Sequence, residues 1–166
     1  IATGGVFTLD ATVETRIDSD RLVIDAGQGI TVVSDGAFSF NGGRLTAGDG
    51  FGVSITAQGA IELGSMTAQA PNGAVDLTAN NGGQIVIAAT GLIEADSVNA
   101  NGTGSIALTT NVNRVTATLV GAGDVIIEEK NDIELAVVTA PDGLVLATAG
   151  GTLTATHVVA SSEAIL

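Results

Sequence analysis

Four carboxylates crowd one stretch of the chain, Glu128, Glu129, Asp132 and Glu134, with Asp124 and Asp142 flanking them. Calcium takes roughly six to eight oxygen ligands, so a cluster of this kind predicts at most weak calcium binding. Together with arginine, acidic side chains on one face would also suit the cleavage of acidic polysaccharides. Two features weigh against both chemistries. The glycine-rich Gly-Gly-x-Gly-x-Asp pattern of calcium-binding rolls fails in the second half of Asn81-Gly82-Gly83-Gln84-Ile85, and the aromatic rings that line sugar clefts are scarce, with 4 Phe and neither Trp nor Tyr. The single histidine, His157, has no second histidine to share a metal, and a catalytic site needs a constellation of groups rather than one residue. No serine sits in a nucleophile-elbow pattern. With no cysteine, disulfides, thiolate metal sites and cysteine nucleophiles are ruled out. The sequence therefore predicts a protein that is not an enzyme and holds no resident cofactor.

The elements that position these side chains are short and repeated. Residues 125–143, VIIEEKNDIELAVVTAPDG, hold one complete unit: Val125 and Ile127, a break at Lys130-Asn131-Asp132, then Ile133 and Leu135, a third apolar run from Val137, and a closing turn at Ala140-Pro141-Asp142-Gly143. The closing turn recurs as Ala26-Gly27-Gln28-Gly29, Ala47-Gly48-Asp49-Gly50, Ala70-Pro71-Asn72-Gly73, Asn101-Gly102-Thr103-Gly104 and Val120-Gly121-Ala122-Gly123. Proline at the second position, as Pro71 and Pro141, pre-sets the torsion of a tight turn, and glycine is favoured at the fourth. Gly29, Gly50, Gly73, Gly104, Gly123 and Gly143 are thus the expected structural turn residues, at uneven steps of which the longest runs from Gly73 to Gly104.

Between the turns, apolar residues alternate with a period of two, as strands require. One unit pairs Ile30 and Val32 with Phe38 and Phe40 and with Leu45 and Ala47, the two phenylalanines being expected in the core; the next gives Val53 and Ile55, Ile61 and Leu63, then Met66 and Ala68. The long step between Gly73 and Gly104 predicts an inserted loop or extra strand at Ala88 to Ala95, the best expectation for a partner-contacting feature, with Val98 and Ala100 resuming the third run. Units of this size cannot bury their own apolar face and must stack on their neighbours. The predicted fold is all-β: a right-handed parallel β-helix, or β-solenoid, of about seven three-stranded coils, with residues 1–166 forming a single segment. The hand follows from the uneven coil lengths and from the usual chirality of parallel connections.

Composition narrows the partners. Eighteen acidic residues oppose five basic ones, a net charge of −13. Nucleic acid needs a positive surface and anionic membrane wants basic clusters, so neither is an expected partner. No apolar run reaches the roughly 18 residues that cross a bilayer. Acidity of this kind keeps a strand-rich surface soluble and discourages edge-to-edge association. Ice binding asks for regular threonine columns on a flat face; Thr46, Thr67 and Thr139 recur before an alanine, but Asn99 and Val159 interrupt the column, and strand propensity accounts for the threonines.

The phrases Ala60-Ile61-Glu62-Leu63-Gly64-Ser65-Met66-Thr67-Ala68, Asn131-Asp132-Ile133-Glu134-Leu135-Ala136-Val137-Val138-Thr139-Ala140 and Gly151-Thr152-Leu153-Thr154-Ala155-Thr156-His157-Val158-Val159-Ala160 resemble the degenerate repeats of filamentous-haemagglutinin-type exoproteins and related autotransporter passengers. The resemblance covers most of the chain. It implies a β-helix that is secreted or displayed on a bacterial cell surface, serves as an adhesin stalk or fibre module, and leaves room for a host or cell-surface ligand. The family's Asn-Pro-Asn-Gly-Ile signature has only a partial counterpart in Ala70-Pro71-Asn72-Gly73-Ala74, so the expected part is repeat shaft. The chain runs from Ile1 to Ala164-Ile165-Leu166 without a polar cap, which predicts either continuation within a longer chain or end-to-end self-association into a filament. A polysaccharide-acting β-helix enzyme is the remaining alternative.

Overall fold

A computed structural model describes residues 1–19 and 21–166. Among these residues there is no helix, and 19 strands pair in parallel to form a β-solenoid of about seven turns. Each turn of the N-terminal half has three sides. The first side stacks Phe7–Ala11, Ile30–Ser34 and Val53–Ala57, and continues through residues 75–79 and 98–102. On the second side Thr15–Asp18, Phe38–Asn41, Ile61–Leu63 and Ile85–Ile87 stack in turn, followed by 106–110, Val125–Glu129 and Val145–Ala149. Val23–Ala26, Arg44–Ala47, 67–70, 92–95 and 110–112 make the third.

Parallel register places identical faces over one another, so the period-two alternation of each strand becomes continuous columns. Phe7, Ile30, Val53, Val75 and Val98 stack inward, each over its counterpart one turn before. Phe38 and Phe40 both point inward, the first over Ile61 and the second over Leu63, and both are fully buried. The rest of the interior is Ile, Val, Leu and Ala with one Met, apart from the buried polar residues Ser34, Thr109, Thr110 and Glu129. Burial of each large aliphatic side chain contributes about 1.5–3 kcal/mol, and only the neighbouring turns make that burial complete.

The turn signature marks two corners rather than one. Gly29, Gly50 and Gly73 lie before the first side, whereas Gly104, Gly123 and Gly143 lie before the second, in line with Gly36, Gly59 and Gly83. The long step from Gly73 to Gly104 is therefore one full turn plus one side. This corrects the expected phase. Val98 and Ala100 pair with Val75 and Leu77 on the first side, not on the third, and Ile106 stacks on Ile85 of the second side. Residues 88–95 hold a tight turn, closed by the Gly91 N–H donating to the Ala88 carbonyl at 2.7 Å, and then a third-side strand paired with both 67–70 and 110–112. The coil they belong to, Val75 to Val98 on its first side, is as long as the coil from Ile30 to Val53.

The coils do change size after this point. Ile106–Leu119 runs as one strand through the place where a turn would separate second and third sides, and the step from Val98 to Val115 is shorter than any before it on that side. Later turns stay short, passing from Ile106 to Val125 to Val145 on the second side. The coil after the shortest one carries a bulge in Ile133–Ala140, where Val115 and Thr116 face Leu135 and Val137 and the surplus Ala136 turns inward.

Corners are tight because the same corner recurs directly above and below. A Cβ at Gly143 would collide with the carbonyl oxygen of Gly123, whereas Gly50, at a φ of 74°, has open space around it. We predict that Gly143→Ala lowers stability by about 2–3 kcal/mol through overpacking. Gly50→Ala should lose only about 1 kcal/mol from its left-handed backbone. Urea denaturation followed by circular dichroism reads both, and equal losses would show that the corner has slack.

Candidate functional site

The four carboxylates of the candidate calcium site diverge. Glu128 projects outward from the second side, while Glu129, next along the strand, projects inward, following Val125 and Ile127. Asp132 lies in the corner beyond, where its Oδ1 accepts the Thr152 N–H at 2.6 Å. Glu134 faces outward, accepting from Thr156 Oγ1 at 3.3 Å and standing 3.9 Å from the Arg114 guanidinium. Asp124 is used at another corner, accepting the Leu144 N–H at 3.0 Å. Among the described residues no three acidic or histidine side chains are gathered closely enough to hold a metal ion.

Glu129 is the most constrained of the set, only 6% exposed. Its Oε2 accepts from Thr110 Oγ1 at 2.7 Å and from the Val112 N–H at 3.2 Å, and its Oε1 from the N–H groups of Lys130 at 2.7 Å and Asn131 at 3.1 Å. These donors lie where Ile106–Leu119 passes the corner without a turn and Val125–Glu129 stops short. The carboxylate thus replaces the backbone partners that a longer strand would have supplied. A buried carboxylate holding several N–H groups is a structural clamp, and it has no oxygen to spare for a cation.

Outside the core, side-chain amides donate hydrogen bonds to carboxylates from one turn to the next. Asn41 donates to Asp18 at 3.4 Å, Asn72 to Asp49 at 2.7 Å, Asn99 to Asp76 at 2.7 Å and Asn113 to Asp96 at 2.9 Å, while Gln69 donates to Glu94 at 2.6 Å. The first three pairs are each 23 residues apart, the length of one coil, so Asp-to-Asn spacing at the repeat length is the sequence signal for them. Sequence reasoning misses them when it looks for clusters within one coil. Among the described residues three ion pairs, Arg16–Asp18, Arg44–Asp25 and Arg114–Glu134, are exposed and contribute little.

The surface concavities are open grooves. One of about 500 Å³ is lined by Asn113, Asp132, Ile133, Glu134, Thr152 and Thr154. Another, of about 330 Å³, follows the corner beside Gln69, Asn72, Glu94, Asp96 and Asn113, all of which belong to the amide–carboxylate pairs above. His157 is exposed in a corner and lines neither groove, its carbonyl accepting the Val138 N–H at 2.8 Å. The turn residues Pro71 and Pro141 are likewise exposed at corners. None of these side chains has the arrangement of nucleophile, base and orienting group that acyl transfer or hydrolysis requires.

The threonine columns differ from the expected one. Thr46 and Thr67 stand in different columns of the third side, and Thr139 lies on the first. The first side carries two outward columns of mostly short polar residues: Thr8, Thr31, Ser54, Asp76, Asn99 and Thr116, beside Asp10, Val33, Thr56, Thr78, Asn101, Thr118 and Thr139.

For Glu129→Ala, which strands the Thr110 hydroxyl and the Val112 N–H in the interior, we predict a loss of at least about 2 kcal/mol. Glu129→Gln, which keeps an acceptor and the shape, should lose distinctly less. Millimolar calcium should leave the wild-type unfolding midpoint in place, because a ligand that binds only the folded state would raise it; a rise would restore the acidic stretch as a cation site. No family model, curated protein or solved structure matches this chain.

Proposed function

We propose that the chain is a structural, non-enzymatic β-solenoid module of a secreted or cell-surface bacterial adhesin or fibre. The observation that carries this reading is the use of the acidic side chains: they close corners, clamp the narrowed coil or pair with amides one turn away, and among the described residues no group of them converges as a metal site would require. What results is a rod whose surface groups serve its own ladder. The resemblance of its repeats to filamentous-haemagglutinin-type shafts favours the same reading, as does an acidic exterior suited to exposure on a cell surface. A host or cell-surface ligand would then be met by this shaft or by another part of the same surface structure.

End-to-end self-association is a second reading, favoured by the open strand edges of the outermost turns. Among the described residues, Phe7–Ala11 and Thr15–Asp18 pair on one side only, as do Leu153–Ala155, Val158–Ala160 and Ala164–Ile165. Inward residues there are only half-buried: Phe7, Leu9 and Ile17 at one end, Leu153, Val158 and Ala160 at the other. An unpaired parallel edge with an apolar interior is a template for another strand, and a repeated head-to-tail contact gives a filament.

One measurement separates these readings from an enzyme, and a second separates them from each other. Incubation with acidic polysaccharides should release no shortened chains; turnover above a heat-denatured control would overturn the structural reading. Electron microscopy of the purified chain, with its solution mass, tests the filament. Rods many subunits long that disperse in Val158→Lys, where an inward charge blocks the edge, are the outcome expected of self-association. Wild-type particles no longer than a single solenoid would end that second reading and leave the shaft module standing.

A further inference from the structure

We draw no further inference here: the strongest candidate, the double column of mostly short polar outward side chains on the first side from Thr8 and Asp10 to Thr116 and Thr139, is a stripe of small residues that strand propensity already explains, and nothing else in the structure identifies what would lie on it.

Discussion

Every strand of an inner turn is hydrogen-bonded to the turn below and the turn above, and the remaining features of this molecule follow from that pairing. A single coil has no two layers to press together, so its apolar side chains are covered only when the next coil arrives in register. Register in turn fixes facing: a slip of one residue would expose the whole inward set. The columns Phe7–Ile30–Val53–Val75–Val98 and Phe38–Ile61–Ile85–Ile106 are the product of that constraint. They explain why a chain with one Met and no Trp or Tyr fills its core well. A narrow tube offers similar space from one turn to the next, and β-branched and leucine side chains fit it repeatedly.

The corners carry the same constraint where no side chain can be accommodated. Gly143 sits against the carbonyl oxygen of Gly123 because both are copies of one bend a single rung apart. Asn72 and Asn81, each at a φ of 52°, take the left-handed positions that glycine would otherwise fill. Where the coil shortens, the ladder runs out of backbone partners, and a side chain makes good the loss. Glu129 is that side chain. Its burial is a consequence of the shortened step from Val98 to Val115, not a sign of chemistry.

The fold class and the strands are legible in the sequence because period-two alternation and β-branched residues act locally. The phase of the coils is not, and the reason is physical. A bend of small residue, Gly or Pro, any residue, then Gly suits any corner of such a tube, so six copies of one signature do not say which corner they mark. The shift from the corner of Gly73 to that of Gly104 then looks like an insertion. The candidate carboxylates mislead for a different reason. Closeness along the chain is not closeness of oxygens, and the alternation of Val125, Ile127 and Glu129 already places Glu129 inside and Glu128 outside. Spacing at the repeat length carries more information than spacing within a coil, as the pairs Asp18–Asn41, Asp49–Asn72 and Asp76–Asn99 show.

A solenoid builds a site only when side chains from adjacent turns converge, because neighbours along one strand face opposite ways. In the amide–carboxylate pairs the rung next to a carboxylate supplies a donor rather than a second acid. Two carboxylates stacked a rung apart would repel or share a proton, the condition that perturbs acidity and recruits cations. An amide in that place removes both effects while joining one turn to the next. Five of the 18 acidic residues are held in this way, as many as there are basic residues in the chain. The acidic stretch from Glu128 to Glu134 takes none of these amides and is dispersed by the other half of the same rule, alternation along the strand, which sends Glu129 inside and Glu128 and Glu134 out while Asp132 closes a corner.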